Sequence, residues 1–140
     1  MITARTRRKR RPNFSLELQQ VIPSEYEECK AFYAYTQRIL RLGKKVIKHC
    51  NEGQRTSWYG KALVAIGLTP GVCDYQYIVS NGKYHSLWIE MKRRDGRDKK
   101  TNPTQDEFIE LLKDNGHYAC YAYGFDHAIE IYKDYVENKL

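Results

Sequence analysis

Long apolar runs are missing from this sequence: the longest, Ala62 to Leu68, spans seven residues, against the roughly 20 that a membrane helix needs. No apolar stretch follows the basic residues near the N-terminus either, so the expectation is a soluble, cytoplasmic protein with neither a membrane span nor a secretory leader. Paired cysteines are also absent. Cys29, Cys50, Cys73 and Cys120 form no C-x-x-C pair, which argues against a zinc site or a disulfide framework and for buried free thiols. His49, His85, His117 and His127 have no metal-ligand spacing and are assigned no chemistry. No internal repeat is visible.

Charge is plentiful and unevenly placed. The 140 residues, enough for one domain, carry a formal net charge of +7. Residues 5 to 11 (RTRRKRR) hold six basic side chains and no acid, and residues 92 to 100 (KRRDGRDKK) add six basic against two acidic. The rest of the chain is slightly acidic, so two basic segments face the partner. Residues 1–22 lack periodicity and read as a disordered arm, with residues 23–140 as the folded domain. Such an arm holds nucleic-acid phosphate through Arg7, Arg8, Lys9, Arg10 and Arg11 without sequence preference.

From Ser24 the pattern turns helical. Ser24-Glu25-Tyr26-Glu27 has the S-x-x-E capping-box form, and Cys29, Phe32, Tyr33, Thr36, Ile39 and Leu40 recur at helical spacing up to a stop near Gly43. Lys45 to Cys50 is a short strand, Trp58 to Ile66 a second helix closed by Gly67, and Thr69-Pro70-Gly71 a turn into a hairpin formed by Val72–Val79 and Tyr84–Lys92. Thr104 opens a third helix that Gly116 ends, His117 to Tyr123 is a strand, and Asp126 caps a last helix reaching about Asn138. The order α-β-α-β-β-α-β-α predicts an α/β fold, a mixed central sheet flanked by helices.

The hairpin carries the chemistry. On a strand, Trp88, Glu90 and Lys92 share one face and Leu87, Ile89 and Met91 the other. A two-residue turn at Asn81-Gly82 would set Asp74 opposite Ile89, on the wrong face. A three-residue connection, Asn81 to Lys83, sets it across from Glu90, with β-carbons about 5 Å apart. Two carboxylates that close repel unless a cation lies between them, and a hard divalent ion is the ordinary solution. The competing explanation is a plain strand end, with Asp74 beside the Gly71 turn and Glu90 paired with Lys92 on a solvated face.

The rest of the chain resembles the VRR-NUC family of the PD-(D/E)XK nuclease superfamily. The resemblance runs from about Ser24 to Tyr135: a Glu-bearing first helix, Asn51-Glu52-Gly53, Gly71-x-x-Asp74, Ile89-Glu90-x-Lys92-Arg93, Gln105, Gly116, and a closing Ala128-x-x-x-x-Tyr132 type helix. One departure is plain, since Cys73 stands where the superfamily usually has the Pro of "PD". The resemblance implies a restriction-endonuclease-like sheet and hydrolysis of DNA phosphodiesters assisted by Mg²⁺ or Mn²⁺.

In that role Asp74 and Glu90 hold the metal, with the Met91 carbonyl as a third ligand, while Lys92 orients water or phosphate and Gln105 reaches into the site. A further carboxylate is expected on the first helix. A helical wheel puts Glu25 at the centre of the apolar stripe and Glu28 at its edge, so Glu25 is the first choice and Glu28 the second. Arg93, Arg94, Arg97, Lys99 and Lys100 of the basic loop are assigned to phosphate, as is Arg55, beside which Trp58 and Tyr59 offer rings for base stacking. The small stand-alone size resembles phage and bacterial members, and kinship implies cleavage of branched DNA such as Holliday junctions; because such a junction is near two-fold symmetric and one domain carries one site, a homodimer is the expected working unit. A flap or restriction-like nuclease and a catalytically silent binding module are the alternatives.

Overall fold

The computed structural model describes residues 22–49, 57–96 and 102–140. Its elements follow the expected order: α1 (Glu25–Arg38), β1 (Val46–Lys48), α2 (Ser57–Ala65), β2 (Tyr75–Tyr77), β3 (Leu87–Lys92), α3 (Pro103–Asp114), β4 (Tyr118–Tyr123) and α4 (Phe125–Val136), with a 3₁₀ turn at Gly43–Lys45. The strands form one sheet in the order β1-β2-β3-β4. β1, β2 and β3 pair antiparallel, whereas β3 and β4 are parallel and are joined through α3, the kind of crossover that parallel neighbours require.

Strand alternation sorts the side chains into two cores. Leu87, Ile89 and Met91 point to the face covered by α1 and α4, where they meet Phe32, Tyr75, Ile129 and Tyr135. Each such buried side chain contributes about 1.5–3 kcal/mol of burial free energy. On the other face Cys73, Ala119 and the partly buried Trp88 and Tyr121 pack under α3 against Ile109 and Leu112. The result is a three-layer α/β/α arrangement. Among the described residues no helix is long and apolar enough to cross a membrane.

Element ends are where expectation and structure part. The capping box of α1 forms in full, with Ser24 and Glu27 exchanging hydrogen bonds. The helix stops at Arg38, however, short of Gly43, because the chain turns through Arg41 at φ +52°. α3 is capped by Asn102, whose Oδ1 accepts from the Thr104 amide at 3.1 Å, and Pro103 takes the first helical position that suits it. Thr104 is thus inside the helix. Gly116, at φ +81°, ends α3 as expected: its amide reaches the Lys113 carbonyl and that of His117 the Leu112 carbonyl, the paired bonds of a Schellman motif. The connection between β2 and β3 is longer than three residues. Asn81 holds it, its Oδ1 accepting from the amides of Lys83 and Tyr84 and its Nδ2 donating to the Tyr135 carbonyl.

The largest difference lies at α4. Its N-cap is Gly124, at φ +88° and with no side chain to offer, rather than Asp126. The missing acceptor comes from α1: Glu28 Oε2 takes the Phe125 amide at 2.8 Å, and both Glu28 oxygens bind the Arg94 guanidinium, at 2.5 and 3.0 Å. A carboxylate at a helix N-terminus is favourable on both hydrogen-bond and dipole grounds. Glu28 is also at the centre of the buried stripe of α1, with Phe32 and Thr36, while Glu25 is half-buried beside it, the opposite of where the wheel places the two on that stripe.

Removing Arg94 strands Glu28, 1% exposed, on a single backbone donor, at a cost of about 3 kcal/mol. The Arg94 hydrogen bonds hold the Glu28 carboxyl below its ordinary value of 4.5 against the opposing effect of burial, so this stabilisation is present above pH 4.5 and is lost as pH falls below it. In Arg94→Ala only the Phe125 amide is left to oppose burial, so the depression is weakened. Thermal melts should therefore find the deficit of Arg94→Ala largest at neutral pH and shrinking toward pH 4, whereas a constant deficit would remove Glu28 as its origin.

Candidate active site

The register Tyr75↔Ile89, Gln76↔Trp88, Tyr77↔Leu87, continued by one residue, sets Asp74 across from Glu90. This is the alignment expected of the three-residue connection, reached with a longer loop. Both carboxylates are buried, at 7% and 2% exposure, and both line a cavity of about 240 Å³ together with Pro70, Gly71, Thr104 and Gln105. Gly71 is required there. Its φ is +81°, and a Cβ would overlap the Thr104 carbonyl, so only glycine lets the 69–72 turn approach the start of α3.

Each acid is oriented by named donors. Asp74 Oδ2 accepts from the Met91 amide at 2.9 Å, Oδ1 accepts from Lys48 Nζ, and the Asp74 carbonyl accepts from the His49 amide at 2.8 Å. Glu90 Oε1 accepts from Gln105 Nε2 and lies 3.3 Å from Lys92 Nζ, which in turn donates to Gln105 Oε1 at 3.0 Å. Gln105 is therefore a hinge between the acid and the ammonium, its amide donating to one and accepting from the other. Lys92 Nζ also stands 5.7 Å from the Tyr121 ring centroid. The site is close to neutral, with two carboxylates facing two ammonium groups, which lowers the cost of burying either sign.

Of the residues singled out in the sequence, the structure brings Asp74, Glu90, Met91, Lys92 and Gln105 together. Glu25 is half-buried in the first turn of α1 and does not line the cavity; with Asp74 it adds to the rise of the Cys29 thiol, which burial above all pushes up to about 12. Glu28 faces elsewhere, with Arg94 and α4. Arg94 is held by Glu28 and by Asp126 at 3.5 Å, away from the cavity. Arg93 donates to Asp95 at 3.1 Å, and its Nε is buried without a partner among the described residues. Arg7, Arg8, Lys9, Arg10, Arg11, Arg55, Arg97, Lys99 and Lys100, and the Asn51-Glu52-Gly53 loop, lie outside the described residues.

Lys48 escaped the sequence reading. Its signal was the alternation with Val46 on β1, which puts a lysine two residues after a core position and beside the β2 end that carries Asp74. Two of the histidines pack beside Trp88. His49 stacks on Trp88 with centroids 5.0 Å apart, and Ser86 Oγ accepts from Trp88 Nε1 at 2.9 Å and shares a second hydrogen bond with His117 Nδ1, 2.7 Å away. Burial, reinforced by His85, keeps His117 below its ordinary value and hence neutral at pH 7.

Neither a protein-family model nor a curated protein matches the chain. Among solved structures, a "VRR_NUC domain protein" superposes on it with a TM-score of 0.70 and 22% identity, over 83% of this chain and 90% of that one. The chain has the VRR_NUC fold. At that identity the likeness speaks for the fold, and the positions of Asp74, Glu90, Lys92 and Gln105 within it are what bear on chemistry.

Gln105→Leu would keep the volume of the side chain and remove both halves of the hinge, leaving Glu90 and Lys92 each short of a partner at exposures of 2% and 12%. Urea unfolding should place the variant about 1–3 kcal/mol below wild type, and an unchanged midpoint would mean that the Glu90–Gln105–Lys92 network carries no stability.

Proposed function

We propose that this chain is a metal-dependent DNA endonuclease. The observation that carries the reading is the convergence of Asp74, Glu90 and Gln105 around one cavity at one end of the sheet, with Lys92 bonded to Glu90 and Gln105, in a fold shared with a VRR_NUC domain protein. Buried acids beside a phosphate ligand would repel it unless a cation stood between them, which disfavours a module that only binds.

The donor set fits Mg²⁺ or Mn²⁺. Among the described residues no three or more Asp, Glu, His or Cys side chains converge as a cage, but magnesium keeps several waters and takes one or two carboxylates together with substrate phosphate. Asp74 and Glu90 would hold the ion with the Met91 carbonyl, and since Glu28 is taken by Arg94 and the Phe125 amide, Glu25 is the first-helix carboxylate we assign to the site. Such an ion supplies an acidified water and a polarised phosphate oxygen. The chain's own contribution is orientation: the Met91 amide fixes Asp74, Gln105 fixes Glu90, and Lys92 offers a compact ammonium to the attacked phosphate or its water. Glu28 and Arg94 serve as scaffold. The arm at 1–22 and the basic residues of the 93–100 segment other than Arg94 would hold phosphate non-specifically.

The substrate is branched DNA, the four-way junction first, cut by a symmetric homodimer. A junction has near two-fold symmetry and needs two opposed nicks, whereas one domain has one site. A C2 pair matches it with one self-complementary surface. α2 is the element suited to that surface, because Trp58, Tyr59, Val64 and Ile66 are exposed along and just after it, Ile66 at 82%. The place of action is the cytoplasm, where thiols such as Cys29, Cys73 and Cys120 stay reduced.

Asp74→Ala, Glu90→Ala and Lys92→Ala should each lower cleavage by on the order of 10³-fold or more while binding DNA as well as wild type. Linear duplex, 5′ flap, 3′ flap and four-way junction DNA incubated with Mg²⁺, Mn²⁺ or EDTA test both halves of the proposal. Cutting that survives EDTA removes the metal, and cutting confined to flaps replaces the junction. Light scattering should give about twice the 16.6 kDa chain mass, reduced to a single mass by Ile66→Glu, and dimers mixed with Glu90→Ala subunits should nick a junction once without resolving it. A wild-type monomer that makes paired cuts rules the dimer out.

A further inference from the structure

Lys48 has no part in the reading above, yet it is the cation that touches Asp74. It ends β1, directly opposite Tyr75 in the sheet, and its stem runs past that ring, with Nζ 5.2 Å from the centroid, to reach Asp74 Oδ1. The other carboxylate oxygen is committed to the Met91 amide at 2.9 Å, so Oδ1 is the atom that Asp74 can turn toward a ligand. Lys48 sits on it. Its side chain is 37% exposed, which leaves the ammonium a route to solvent that the 12% exposed Lys92 does not have.

We infer that Lys48 is a positioning residue: a tethered cation that neutralises Asp74 until a divalent ion arrives and must be displaced from Oδ1 for that ion to bind. The inference rests on the metal-dependent reading. Without Lys48, the register would leave Asp74 and Glu90 facing each other with the Lys92 ammonium on the Glu90 side, and the strand ends would repel. With it, the pair is held together before any ligand binds, and ion affinity is lowered by the energy of the contact that has to be broken. Displacement also frees an ammonium next to Asp74, tethered close to whatever phosphate the ion binds.

Mn²⁺ binding in the absence of DNA, measured by titration calorimetry, tests this without reference to activity. Lys48→Met should bind Mn²⁺ about tenfold more tightly than wild type, the combined effect of a partly exposed ion pair and an ammonium–metal repulsion. Lys48→Arg keeps the charge and should not tighten binding. Lys44→Met removes one charge from the exposed turn before β1 and should leave affinity unchanged, and Asp74→Asn should abolish binding. Circular dichroism melts confirm that each variant is folded. Equal affinity in Lys48→Met and wild type, with binding lost in Asp74→Asn, overturns the role of Lys48 and leaves the metal site standing. Equal tightening by Lys44→Met also overturns it, since net charge would then be the cause. Wild-type affinity in Asp74→Asn removes the metal site itself, and this inference with it.

Discussion

Antiparallel pairing of β2 with β3 in the register Tyr75↔Ile89 governs where the acids of this protein meet. A slip of one residue would send Asp74 to the face where Ile89 and Met91 are packed under α1 and α4, and would bury an unpaired carboxylate among aliphatic side chains. In the observed register the alternation of β3 does two jobs at once. Leu87, Ile89 and Met91 fill the larger core, while Glu90 and Lys92 turn to the α3 side, where Gln105 is waiting. The hydrophobic cost of a slip is what keeps the polar pair aligned, so packing on one face secures the chemistry of the other.

A second interaction holds the layers around that sheet. Glu28 and Arg94 join α1 to the chain just beyond β3, and the same carboxylate caps α4 at Phe125. Three segments distant in sequence meet at one buried anion. Gly124 makes room for it, since a Cβ there would lie 2.9 Å from the Arg94 side chain. Because Arg94 follows Lys92 by two residues, this clamp also fixes the end of the strand that carries the site, and a residue that reads as a phosphate contact in the basic loop becomes part of the frame.

The site itself is a balance of charge. Asp74 and Glu90 are desolvated, and Lys48 and Lys92 supply the opposite sign at contact distance, so neither acid stands alone in the low-dielectric interior. Exposure differs between the two lysines, and so does their latitude. Lys92 is held by Gln105, Glu90 and the Tyr121 ring, which suits a group that must keep one position. Lys48, on an edge strand, is bounded on one side by solvent.

Much of this was legible in the linear sequence because it is written in short-range physics. The order of elements follows from hydrophobic period, the start of α1 from the reciprocal Ser24–Glu27 bonds, the end of α3 from the backbone freedom of Gly116, and the facing of Asp74 and Glu90 from strand alternation plus one choice of register. What the sequence left open depends on partners far along the chain. The cap of α4 comes from a residue 97 positions away, so Asp126, three letters from the end of β4, looked the better choice. Glu25 and Glu28 differ by less than one helical turn, and no wheel decides between them until Arg94 and Gly124 arrive to take Glu28. Lys48 is one lysine among many until β1 pairs with β2. Local propensity sets each element by contacts within a few residues, whereas the assignment of a charged side chain to scaffold or to site depends on which opposite charge and which backbone amides the tertiary fold brings within about 3 Å of it.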